Sequence, residues 1–173
     1  TSATGSIGIV TGSTVCWRGN AAGLGGFYFF ARFGVETFVS TMRVFCGLSS
    51  NNTVLGGEPS ALANTVGMGK DSGDANWQLI FRDATTLTKV NLGVAVAAGN
   101  VYDLHMFSSP NDSNIGIKVV NVGTNTIVLD NTDYSTNIPA NTAFLYARAD
   151  VQSTAGTTAE VIALNRIYVE TDA

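Results

Sequence analysis

A chain of 173 residues is long enough for one domain with a real core. With 13% charged and 45% hydrophobic residues it is not an intrinsically disordered polymer. Its net charge is −4 and its nine basic residues are scattered, never adjacent, which excludes the basic stripe that nucleic acid or an anionic membrane surface requires.

Residues 1–24 read as an N-terminal arm with an edge strand. Positions 1–12 are small and polar apart from Ile7, Ile9 and Val10, a short strand follows over 15–18, and 20–26 is a glycine-rich loop. The head domain, 25–173, opens with a strand over 27–33. Its alternation places Phe27, Phe29, Ala31 and Phe33 on one face and Tyr28, Phe30 and Arg32 on the other. Residues 35–40 are ambiguous, with a helical turn possible. Over 41–48, Met42, Val44, Cys46 and Leu48 face the core and Arg43 faces out. A polar loop over 49–60 is long for a compact domain, and long loops are often functional. One helical turn capped by Ser60 can follow it.

The stretch 65–93 reads as a three-strand meander, with a polar turn over 70–76 and a second turn over 83–86. Further strands are expected over 100–107, with Tyr102, Leu104 and Met106 toward the core, and over 115–122 and 126–130. A polar loop over 131–140 holds Tyr134. Strands over 143–149 and 160–170, joined by 150–158, close the chain.

The total is eleven or twelve strands and no helix longer than a turn. Turns recur every 8–12 residues or so, the mark of an all-β sandwich or barrel. The expected fold is an antiparallel β-sandwich, jelly-roll or lectin-like. No apolar run approaches the ~20 residues of a membrane span, so membrane insertion is not expected; no secretory leader pattern opens the chain. A surface poor in charge and rich in Thr, Ser and Asn suits either burial in an oligomer or contact with neutral polar ligands such as sugars. Cys16 and Cys46 each lie in an apolar run and read as buried free thiols, with a disulfide open if their Cα atoms lie within about 7 Å.

Several stretches carry a family resemblance. Phe33-Gly34-Val35-Glu36 precedes Met42-Arg43-Val44-Phe45-Cys46-Gly47-Leu48-Ser49. Gly67-Met68-Gly69-Lys70-Asp71-Ser72-Gly73-Asp74-Ala75-Asn76-Trp77-Gln78-Leu79 is followed by Thr88-Lys89-Val90-Asn91-Leu92-Gly93. Val101-Tyr102-Asp103-Leu104 and Ile167-Tyr168-Val169-Glu170-Thr171-Asp172 complete the set. Together they span most of 27–172, and the chain resembles the receptor-binding domains of tailed-phage tail fibres and tailspikes. The resemblance implies a homotrimer in the virion, at a fibre tip, touching a bacterial surface glycan or an outer-membrane receptor. It implies no cofactor and transfers no binding residue.

Aromatic rings stack on sugar CH groups, while Asn and Asp bind hydroxyls. Tyr134 between Asp133 and Ser135 is the expected exposed platform. Trp17 beside a polar loop is a second candidate that also suits the core, and Trp77 reads as core. Asp71, Asp74, Asn111 and Asp112 supply polar turn groups near a ligand. Asp71-Ser72-Gly73-Asp74 lacks the spacing of a calcium loop and reads as a turn, so no metal is expected. His105, the single histidine, is mid-strand with Asp103 and Phe107, and no Gly-x-Ser-x-Gly accompanies it; it reads as a surface or interface residue rather than a catalytic one. The carboxylates fall mostly in turns, where Asp bonds its own backbone. A non-enzymatic attachment domain is therefore expected. The alternatives are a polysaccharide depolymerase or deacetylase, and a purely structural fibre or capsid trimerisation module.

Overall fold

The computed structural model describes residues 5–154 and 160–171. The start of the N-terminal arm, much of the expected 150–158 connection and Asp172 lie outside the described residues.

Eleven strands form two antiparallel sheets that pack as a sandwich. In chain order they are β1 (Ser6–Val10), β2 (Phe27–Thr37), β3 (Arg43–Ser49), β4 (Thr65–Lys70), β5 (Asn76–Arg82), β6 (Leu87–Ala95), β7 (Val101–Ser108), β8 (Ile115–Asn121), β9 (Thr126–Tyr134), β10 (Tyr146–Gln152) and β11 (Val161–Thr171). The six-stranded sheet runs β1-β10-β3-β4-β5-β6 and the five-stranded sheet β11-β2-β7-β8-β9. Among the described residues the one helical element is a 3-10 turn, Pro59–Ala61.

Side-chain parity builds the core between the sheets. Phe29, Ala31 and Phe33 of β2, Tyr102, Leu104 and Met106 of β7, and Met42, Val44, Cys46 and Leu48 beside and within β3 are all fully buried. Trp77, Leu79 and Phe81 of β5 meet them from the six-stranded sheet. Trp77 packs edge-on to Phe33 and Tyr102, both at 5.7 Å between ring centroids. Both cysteines are free and buried, and burial pushes the Cys16 thiol up to about 12.

Local expectations fail in several places. Residues 15–18 contribute one isolated bridge, Cys16 to Leu145, rather than a strand. Residues 35–37 continue β2 instead of turning helically, because Val35 is a core residue in register with Ile162. The 3-10 turn starts at Pro59 with Glu58 as its cap residue, and Ser60 caps nothing. Tyr134 belongs to β9, opposite Ile115, and not to a loop.

The long polar loop lies across the outer face of the six-stranded sheet. Leu55 and Leu62 pack on Phe45 and Ile80 as a second small core. Gly67 on β4 makes room for this: a Cβ there would lie 2.7 Å from Phe45 Cζ. Beneath the loop, Arg148 and Asp150 are fully buried and paired at 2.6 Å. Arg148 also donates to the carbonyls of Asn51 and Thr53, and Asp150 accepts from Leu55 N–H at 3.2 Å. Lys70, expected to open a polar turn, ends β4 instead, where it is buried and donates through Nζ to the carbonyls of Ser40, Met42 and Asp71.

Candidate functional site

The structure separates the sequence candidates into two groups at opposite ends of the sandwich. Tyr134 stacks obliquely on Phe81, at the C-terminal end of β5, while Asp71 and Asp74 form the turn that leads into the N-terminal end of that strand. Asp71 and Asp74 both ion-pair with Lys89, at 2.9 and 2.5 Å. Asp71 also accepts from Ser60 N–H, and Asp74 from Asp71 N–H. Burial works to lower the Lys89 pKa, but the bonds to Asp74 and Asp71 outweigh it and hold the ammonium above its ordinary range. These carboxylates anchor the loop and the meander to each other.

At the other end, Trp17, Asn111 and Asp112 come together. Arg18 binds this end through the carbonyls of Pro139 and Asp112, and Asn111 N–H donates to Arg18 C=O at 2.8 Å. Burial lowers the Arg18 pKa and Asp112 acts against it. Asp112 spends a carboxylate oxygen on Asn114 N–H. Trp17 is half-buried and stacks on Phe144, 5.2 Å away and 19° from parallel. Tyr134 is not the exposed platform expected. It is half-buried against Phe81, and burial raises its phenol pKa. The reason is parity: Tyr134 continues β9 with its ring turned toward the core.

A larger constellation lies on the outer face of the five-stranded sheet, where three rows cross the strands. The middle row runs Tyr168, Phe30, His105, Lys118; the row on one side runs Glu170, Tyr28, Phe107, Gly116, Asp133; the row on the other runs Arg166, Arg32, Asp103. Phe107 is 53% exposed and Tyr168 48%. Such large rings facing solvent together, on a protein of low charge, mark a contact surface more than a folding need. Two hollows open here, of about 400 and 560 Å³, and Tyr28 and His105 line both.

The geometry of this face is well specified. Tyr28 Oη and His105 Nδ1 share a hydrogen bond of 2.7 Å. The imidazole also packs on Phe30, 4.9 Å between centroids. Arg32 grips Asp103 with two parallel bonds of 2.7 and 2.8 Å, the planar fork that suits a carboxylate. Burial lowers the His105 pKa; Asp103 opposes this and Lys118 adds to it, which favours the uncharged ring. Burial, then Asp103, raises the Tyr28 phenol. Neutral donors and acceptors flanked by aromatic rings can hold sugar hydroxyls and stack on sugar faces.

Parity in 27–33 and 101–107 already separates Tyr28, Phe30 and Arg32 from the core, and Asp103, His105 and Phe107 likewise. What sequence reasoning missed is that β2 and β7 are neighbours, which merges the two outward sets into one patch. Lys118 and Tyr168 join from flanking strands, 13 residues after His105 and 63 after it.

No protein-family model and no curated protein sequence matches the chain. Solved structures share its architecture. Peanut lectin is 11% identical, with a TM-score of 0.55 over 97% of this chain and 90% of its own. The alginate lyase PA1167 from Pseudomonas aeruginosa is 13% identical, with a TM-score of 0.55 over 90% of this chain and 67% of its own. The CBM2 module of the evolved Dit protein of Lactobacillus casei BL23 phage J-1 is 10% identical, with a TM-score of 0.53 over 96% and 68%. At these identities the likeness defines the fold: an antiparallel β-sandwich of the lectin and jelly-roll kind.

Proposed function

We propose that this chain is a glycan-binding attachment domain of a tailed-phage tail fibre or tailspike, acting in the virion as a homotrimer on a bacterial surface glycan. Residues 1–24 form the arm and 25–173 the head. The observation that carries the reading is the outer face of the five-stranded sheet, where Tyr28, Phe30, His105, Phe107 and Tyr168 line two hollows that share Tyr28 and His105. The fold shared with a lectin and with a CBM2 module of a phage Dit protein supports it. The trimer contact falls on edge strand β1, where Ile7 is 68% and Ile9 59% exposed beside an apolar slot lined by Val161, Ile162 and Leu164. That edge carries no Lys, Pro or bulge to discourage pairing with another chain.

Binding to a bacterial glycan array and to fluorescently scored cells tests the function. Tyr168→Ala weakens binding and Trp17→Ala leaves it unchanged. The reverse pattern moves the site to the loop end, and no binding by the unaltered domain removes the reading. Light scattering at micromolar concentration gives a trimer, and a monomer contradicts that part.

The Tyr28–His105 hydrogen bond favours a second reading, a polysaccharide-modifying enzyme, because a phenol and an imidazole in one groove can move a proton. Incubation with host polysaccharide separates the two. Product release lost in His105→Ala establishes the enzyme, and no product removes it.

A further inference from the structure

We infer that the glycan-binding face is built for an acidic sugar, and that Arg166 with Arg32 forms the subsite for its carboxylate. The inference rests on the proposed glycan-binding reading and names its ligand class.

The first observation is charge commitment. Eight of the nine basic side chains hold a carboxylate or a backbone carbonyl. Arg166 alone makes no ion pair or side-chain hydrogen bond among the described residues, and it lines the hollow with Tyr28, Phe30, His105 and Tyr168. The carboxylate on its strand, Glu170, accepts from Tyr168 Oη at 3.0 Å.

The second observation is register. Arg166 stands directly opposite Arg32 across the β11–β2 pair. Like charges in directly opposed positions repel and destabilise the pairing. Asp103 offsets one of the two, since Arg32 takes both of its oxygens. Within the row of Arg166, Arg32 and Asp103 one positive charge remains, and a ligand carboxylate placed between the two guanidinium groups would neutralise it.

The third observation is how Arg166 gets there. Leu164 pairs with Phe33 and packs on the core. Strict alternation from Leu164 would send residue 166 inward as well. A β-bulge between Leu164 and Arg166 inserts Asn165 and resets the parity, so Arg166 emerges on the outer face. Bulges re-aim side chains in this way and gather at functional surfaces. The strand departs from regular pairing at the point where the unpaired arginine is delivered.

The test is a glycan array carrying uronic- and sialic-acid polymers beside their carboxyl-reduced forms, probed with the unaltered domain, Arg166→Gln and Tyr168→Ala. Arg166 is exposed, so the glutamine variant folds; a thermal melt checks this. The expected result is preference for acidic polymers over their reduced forms by roughly ten-fold or more, the low end for a charge-assisted hydrogen bond. Arg166→Gln erases that preference while keeping residual binding to reduced forms, and Tyr168→Ala weakens both. Equal binding to acidic and reduced polymers that Tyr168→Ala removes and Arg166→Gln does not overturns the acidic subsite and leaves the glycan-binding face standing. No polymer bound by the unaltered domain, or binding that neither substitution weakens, overturns both.

Discussion

The two outer faces of the sandwich are treated in opposite ways. The six-stranded sheet is covered by the 50–64 loop, and the main charges beneath that cover have partners: Arg148 with Asp150, Arg43 with Glu58, Lys70 with backbone carbonyls. Among the described residues no segment covers the outer face of the five-stranded sheet. That face presents aromatic rings and an arginine that pairs with none of the described residues. Buried polar groups must be satisfied for the fold to stand, so satisfied charges report on stability. Unsatisfied groups beside exposed rings report on something outside the chain. The comparison predicts that substitutions on the covered face change stability and leave binding alone, and that those on the bare face do the opposite.

The largest effect belongs to Asp150→Ala. It strands Arg148 in a dry site, and breaking one side of a buried pair costs about 3–5 kcal/mol. Urea unfolding measures the loss, with glycan affinity of the remaining folded protein unchanged. Leu55→Ala comes next. It removes the centre of the small core under the loop, at about 2–5 kcal/mol by the same measurement. Persistent stability there would mean the loop is not a structural cover. On the bare face, Tyr168→Ala changes the unfolding free energy by no more than about 0.5 kcal/mol, as exposed substitutions do. It weakens glycan binding by about 0.5–1.5 kcal/mol, the worth of one aromatic contact.

The smallest effect is in pH. The folded His105 pKa lies below its ordinary value, chiefly through burial. As pH falls below about 6.5 the unfolded chain takes up the proton first, so the stability contributed here is full above that value and drains as pH drops through the folded value. Urea midpoints taken between pH 7.5 and 5 show the slope. His105→Gln flattens it, and an unchanged slope in that variant assigns the effect elsewhere.

Much of the fold was readable because parity is a strong signal where one face is buried. Met42, Val44, Cys46 and Leu48 alternate without interruption, as do Tyr102, Leu104 and Met106, and all seven are core. The meander at 65–93 was readable from its turns. Three things were not. A bulge leaves no mark in composition, so strict alternation from Leu164 puts Arg166 on the wrong side. Pairs distant along the chain, such as Trp17 with Phe144 or Phe81 with Tyr134, depend on how the sheets are ordered. A polar loop over 49–60 looks free for function, yet Leu55, Leu62 and the Arg148–Asp150 pair beneath it make it a cover. The candidate residues chosen for turn chemistry, Asp71, Asp74 and Asp112, turned out to spend their polar atoms holding turns and loops in place.

The central claim is that ligand meets the bare five-stranded face. Amide and side-chain NMR shifts, recorded as the best-binding array glycan is titrated into the domain, test it most directly. The account predicts shifts on β2, β7 and β11 centred on Tyr28, Phe30, His105, Arg166 and Tyr168. Shifts confined to Trp17, Asn111, Asp112 and Phe144, with that face silent, would contradict it.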